Sequence, residues 1–253
     1  MSDMTILRPC LTRLKLSGIL EKLPERLQEA EEQKSGYTEF LLSILQDEIE
    51  RRDYHTLRLR LARSNLDSSK TLETFDFACA PNLSKAVVKE FCSCNFISNK
   101  ENIFFLGASG AGKTHLAQAI GHEAARRGYD VYCERTAVIL QQINAARGDG
   151  TSERKLKYFK ELPLLVLDDF GLQEITTTQQ DDLYEIICGR YENASTIITS
   201  NRDVSEWFSI FRNQLIASAA VDRLVHRAHK IVIETESYRL KQFNDRYADQ
   251  IKN

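Results

Sequence analysis

Eight residues near the middle of the chain, Gly107, Ala108, Ser109, Gly110, Ala111, Gly112, Lys113 and Thr114, fit the spacing G-x-x-x-x-G-K-[ST]. This spacing suits a polyphosphate. The glycines let backbone N–H groups wrap around phosphate oxygens, the lysine reaches the terminal phosphates, and the threonine hydroxyl can ligate Mg²⁺. The alternative is a glycine-rich turn. Farther along, LLVLDDF sets Asp168 and Asp169 directly after four apolar residues. Asp168 suits Mg²⁺, held through water, and Asp169 suits the orientation or deprotonation of an attacking water. As plain structure they would be two helix-capping acids. Asn201, after STIITS, could sense a terminal phosphate or hold the water, or simply form a turn. Asp169-Phe170-Gly171 also spells a kinase string, but no HRDxxxxN accompanies it and the glycine loop is of another type.

The elements needed to position these groups are legible. Short apolar runs at 102–106, 131–134, 164–167, 195–199 and 230–234 alternate with helical patterns from about residue 72. This texture predicts βαβ units, hence a five-stranded parallel sheet flanked by helices, in an α/β domain spanning 67–253. The glycine-rich segment falls between strand FFL and helix HLAQAIGHEAARR, where a helix N-terminus faces the phosphates. Residues 1–66 read as helix only, a small N-terminal domain. Phe40, Leu41, Ile44, Leu45 and Ile49 form its clearest apolar stripe, and Gly18 and Pro24 are expected to interrupt its earlier helix. Polar residues 64–77 read as a linker and domain entry.

The bulk properties restrict the class. With 253 residues, 42% of them hydrophobic, the chain can bury a sizeable core. No run approaches the ~18 apolar residues of a membrane span, and MSDMTILRPC lacks a signal-peptide pattern, so the expectation is a cytoplasmic protein with no membrane partner. Six scattered cysteines are expected to be reduced and mostly buried. A net charge of -2 gives no overall case for nucleic acid, so any such case must be local.

GASGAGKT, LLVLDDFG, IITSNR, VDRLVHRAHKIVIE and SYR together form an ordered set. The chain resembles the IstB-type transposition helper ATPases, relatives of DnaC-like helicase loaders and of the DnaA initiator within the AAA+ class. The resemblance covers nearly the full length, including LTRLKLSGILEKL and FLLSILQDEIERRD, which favour the helper over the loader. It implies an AAA+ ATPase using ATP and Mg²⁺, which forms a homo-oligomer on double-stranded DNA, deforms the DNA and recruits or activates a cognate transposase. By resemblance, Asn201 matches the residue called sensor 1 and Arg223 the arginine that a neighbouring subunit inserts. Phe75 and Phe77 match the segment beside the adenine, and Arg239 is a candidate sensor 2. About 20 residues follow the last strand, so no C-terminal lid domain is expected. Asp169 replaces the glutamate common in the class, which implies slow hydrolysis.

Two basic clusters permit DNA binding. Arg51, Arg52, Arg58, Arg60 and Arg63 surround a single acid, Asp53, while Tyr54, Leu57 and Leu61 share one helical face. Arg147, Arg154, Lys155 and Lys157 lie between the second and third strands, where initiator relatives carry a DNA-contacting insertion. Either could instead be a solvated face. A helicase loader that grips a replicative helicase, or a metabolic P-loop enzyme such as a kinase, are the competing classes. No acceptor-substrate motif or lid supports the second.

Overall fold

The computed structural model describes residues 2–235 and 238, in two compact units that divide between Leu59 and Arg60. The first contains α1 (Ser2–Arg13), α2 (Ser17–Gln33) and most of α3 (Tyr37–Ser64). Pro24 does not break α2: the helix continues through it, with the proline on an exposed face. Nor does the expected stripe form the core, since Leu41, Leu45 and Ile49 are about half exposed. Buried instead are Ile19 and Leu23 of α2 and two acids of α3, Asp47 and Glu48. Helical periodicity identified a helix but could not say which face would be covered.

Each acid has partners. Glu48 Oε2 accepts from the N–H groups of Gly18 at 2.6 Å and Ile19 at 3.4 Å, satisfying donors that the first turn of α2 leaves free. Burial pushes the Glu48 carboxyl up, but Arg52 and those two N–H groups outweigh it and hold it below its usual range. Asp47 accepts from Arg26 at 2.8 Å and Lys22 at 3.1 Å, and the Arg26 guanidinium holds its pKa down to about 2.

The second unit holds α4 (Lys85–Cys92), α5 (Asn95–Ser98), β1 (Asn102–Gly107), α6 (Lys113–Arg126), β2 (Val131–Arg135), α7 (Thr136–Ala145) and α8 (Ser152–Glu161). Then follow β3 (Leu164–Asp168), α9 (Thr177–Arg190), β4 (Ser195–Ser200), α10 (Gln214–Val225) and β5 (Ala228–Ile233). The five strands form one parallel sheet in the order β2-β3-β4-β1-β5. Alternate residues face opposite layers. Phe104, Leu106, Leu165, Leu167 and Ile198 join the main core beneath α7 to α10, centred on the fully buried Trp207. Ile103, Phe105, Val166 and Ile197 are buried on the other face, the one α6 covers. Among the described residues no lid domain follows β5, and no helix is long and apolar enough to cross a membrane. The sheet order places the C-terminal ends of β1, β4 and β3 side by side, where an open α/β sheet forms its ligand crevice.

Candidate functional site

A cavity of about 840 Å³ opens at those strand ends. Its walls include Ser109 to Thr114, Phe75, Asp168, Asp169 and Asn201. Gly107 lies just below at the end of β1, paired with Ile233, whose carbonyl oxygen would sit 2.3 Å from any added Cβ. Gly112 adopts φ +88° and carries the edge of Phe75, which a Cβ would meet at 2.9 Å. Glycine is required at both by backbone conformation, φ +144° at Gly107 and +88° at Gly112, and at Gly107 by the close approach of the Ile233 backbone as well. The start of α6 has no side-chain cap, so its first N–H groups remain available to an anion.

Lys113 is buried and donates to the carbonyls of Gly107 at 2.9 Å and Ala108 at 2.7 Å. The Thr114 hydroxyl donates to Asp168 Oδ1 at 2.7 Å, and the Thr199 hydroxyl of β4 donates to the same oxygen. A hydroxyl and a carboxylate meeting at one point are hard oxygen donors of the kind Mg²⁺ accepts alongside water and phosphate. Thr199 Oγ1 also accepts from the Asp169 N–H at 3.1 Å, so one buried threonine ties both acids together. Asp169 is exposed, in a left-handed conformation at φ +52°, and Phe170 behind it is fully buried with its ring 4.8 Å from that of Trp207. The DFG string is therefore a hydrophobic anchor that fixes the turn presenting Asp169.

Sequence reasoning missed several walls of the cavity: Lys70, Thr74, Asp76, Cys79, His115, Arg135, Thr235 and Tyr238. The Tyr238 N–H bonds the Gly110 carbonyl at 3.2 Å and the Thr235 hydroxyl bonds the Cys79 carbonyl, closing the end of the cavity next to β5. For Thr199 the sequence carried no separate signal, because Ser195, Thr196 and Ser200 of the same buried strand are hydroxyl residues too. Phe75 lines the cavity, whereas Phe77 packs edge-on to Phe75 at 4.9 Å behind it.

Other expected residues lie elsewhere. Arg223 is half-buried on α10, donating to the Ala219 carbonyl at 2.8 Å and lying 5.8 Å and 5.9 Å from the ring centres of Tyr184 and Tyr191. Its neighbour Leu224 bonds Asn102, at the opposite end of β1 from the glycine loop. The strand is six residues long, roughly 17 Å from end to end, so Arg223 does not reach the phosphate loop of its own chain. Arg239 lies outside the described residues.

Of the basic clusters, Arg52 pairs with Glu48 at 2.7 Å, Arg60 with Asp130 at 3.2 Å, and Arg51 only loosely with Glu21 at 3.9 Å. Arg58 and Arg63 are exposed. Arg147 pairs with the buried Asp182, Lys157 lies 3.8 Å from Glu161, Arg154 is exposed and Lys155 half-buried. No disulfide joins any of the six cysteines, three of which are buried, and burial pushes Cys92 and Cys94 up to about 11.

A glycine loop between β1 and α6, acids at the end of β3 and a polar residue after β4, on a parallel sheet of this order, define a P-loop ATP-binding protein of the AAA+ class. Solved structures agree: AMPPCP-bound DnaA from Aquifex aeolicus gives a TM-score of 0.58 at 28% identity, covering 74% of this chain and 57% of that one. A DnaC helicase loader gives 0.50 at 27%, covering 59% and 87%. The chain belongs to the family of IstB-like ATP binding proteins, which it matches over residues 10–245. It is 36% identical to a protein of a Mycobacterium tuberculosis insertion sequence that is named for ATP binding, over 92% of this chain and 93% of that one. The corresponding protein of insertion sequence IS5376 from Geobacillus stearothermophilus is 35% identical over 91% and 92%.

Proposed function

We propose that this chain is the ATP-dependent helper of a transposition reaction, which assembles as an oligomer on double-stranded DNA, deforms it and recruits or activates its transposase. The observation that carries the ATP half is the convergence of Thr114 and Asp168 on one point beside the glycine loop. The insertion-sequence setting of its near-full-length relatives supports the transposition half.

In this reading the N–H groups of Gly107 to Thr114 wrap the phosphates, and Lys113 turns from the Gly107 and Ala108 carbonyls to the terminal phosphates. Phe75, backed by Phe77, borders the adenine. Thr114 and Asp168 hold Mg²⁺, which when bound neutralises charge on the phosphates. Asp169 orients and deprotonates the attacking water, and Asn201 fixes the terminal phosphate. Charge that builds up on the γ-phosphate calls for one more cation, worth roughly 10³ to 10⁵ in related enzymes. Arg223 supplies it to a neighbouring subunit, which makes the oligomer the working form. Arg58 and Arg63, with the loosely held Arg51, are the first candidates for DNA phosphates. Arg52, Arg60 and Arg147 are committed to ion pairs, and Arg154, Lys155 and Lys157 offer a second contact.

The likeness to a DnaC helicase loader favours a second reading, in which the N-terminal helices grip a replicative helicase. Gel shifts on duplex and single-stranded DNA, with ATP or ADP, separate the two. The helper requires ATP-dependent binding to duplex. Absence of duplex binding in either nucleotide state refutes it.

A further inference from the structure

Four basic side chains line the cavity: Lys70, Lys113, His115 and Arg135. Three are engaged by the protein. Lys70 pairs with Asp67 at 3.3 Å, Lys113 donates to two loop carbonyls, and His115 bonds the Thr71 carbonyl at 2.8 Å. Arg135 differs, because among the described residues its guanidinium makes no hydrogen bond or ion pair and only its backbone N–H is used, by Glu134. A guanidinium is a fixed fork of donors suited to phosphate oxygens.

The position of Arg135 selects the phosphate. Arg135 ends β2 in register with Asp168, the last residue of β3, one strand spacing or ~4.8 Å away. Thr235 and Tyr238 close the cavity beyond β5, at the other edge of the sheet. A nucleotide whose phosphates lie over the end of β1 therefore directs its base toward β5 and its terminal phosphate toward β4, β3 and β2. We propose that Arg135 binds the γ-phosphate of ATP from within the same subunit and so makes the site discriminate ATP from ADP. This rests on ATP binding at the glycine loop and is independent of the role given to Arg223.

The test is equilibrium binding of a non-hydrolysable ATP analogue and of ADP, with Mg²⁺ and without DNA, to the wild type, Arg135→Ala and Arg135→Lys. Arg135→Ala should weaken the triphosphate by about 10- to 100-fold, the range of one charge-assisted hydrogen bond, and leave ADP within about twofold. Arg135→Lys should recover part of the difference, and it keeps the test available if the alanine variant folds poorly. Equal weakening of both nucleotides would mean a structural role and overturn the proposal. So would unchanged affinity for both, which would turn the guanidinium toward solvent or DNA. A wild type that binds neither nucleotide would remove the premise itself, a result distinguishable from the other two.

Discussion

Thr199→Val replaces a hydroxyl by a methyl of nearly the same size at a residue with no exposed surface. It removes two hydrogen bonds, a donor to the Asp168 carboxylate and an acceptor for the Asp169 N–H. The first is charge-assisted and contributes about 1.5–3 kcal/mol, the second about 1 kcal/mol, so the nucleotide-free protein should lose about 2–4 kcal/mol of stability. Urea unfolding measures that loss. Asp168 keeps the Thr114 hydroxyl at 2.7 Å, and ATP affinity should therefore change by only about threefold, near 0.6 kcal/mol. Asp169 fares worse. Its left-handed backbone at φ +52° keeps the Phe170 N–H bond to the Thr199 carbonyl, 2.9 Å, but loses the tie at its own N–H. A positioned base contributes about 10² to 10⁴ in rate, and partial misplacement should cost about tenfold or more in phosphate release at saturating ATP. Thr199→Ser keeps both bonds and should hydrolyse ATP near the wild-type rate. If Thr199→Val loses stability but hydrolyses ATP like wild type, the threonine does not position Asp169, and the two acids are not coupled through it.

Mixing Arg223→Ala with Lys113→Ala should restore hydrolysis that each protein lacks alone, because one mixed interface pairs an intact loop with an intact arginine. A mixture that co-assembles and stays inactive would leave Arg223 only its packing against Tyr184 and Tyr191. Replacing Arg51, Arg58 and Arg63 by Gln should weaken duplex binding for all sequences alike and flatten the plot of log K against log salt by about 0.9 for each phosphate no longer neutralised. An unchanged slope would transfer the role to Arg154, Lys155 and Lys157. Asp47, with a folded pKa of about 2 against an ordinary 3.8, stabilises the paired α2 and α3 above about pH 4, and that stability is lost as pH falls toward 2. Hydrogen exchange of α2 in the full chain should show protection that Asp47→Asn lacks at neutral pH, a gap that closes between pH 4 and 2. A gap that persists at pH 2 would assign it to packing.

Much of the second unit was decided locally. The phosphate loop needs consecutive glycines, a lysine and a threonine between a strand and a helix, and a parallel strand buried on both faces must be a short apolar run. Neighbouring residues express both requirements, so the sheet and the glycine loop, with Asp168 and Asp169 at a strand end, could be read directly. Long-range placement could not. Thr199 and Asp168 are 31 residues apart and meet only because β4 lies beside β3. Arg135 joins the cavity only because β2 takes the sheet edge next to β3. The helical period of α3 marked Leu41, Leu45 and Ile49 as a core stripe, yet period alone does not specify which face a partner helix covers. Packing buried Asp47 and Glu48 instead, because Arg26, Lys22 and the free N–H groups at the start of α2 could satisfy two carboxylates. Periodicity is a property of one helix, and burial is a property of two.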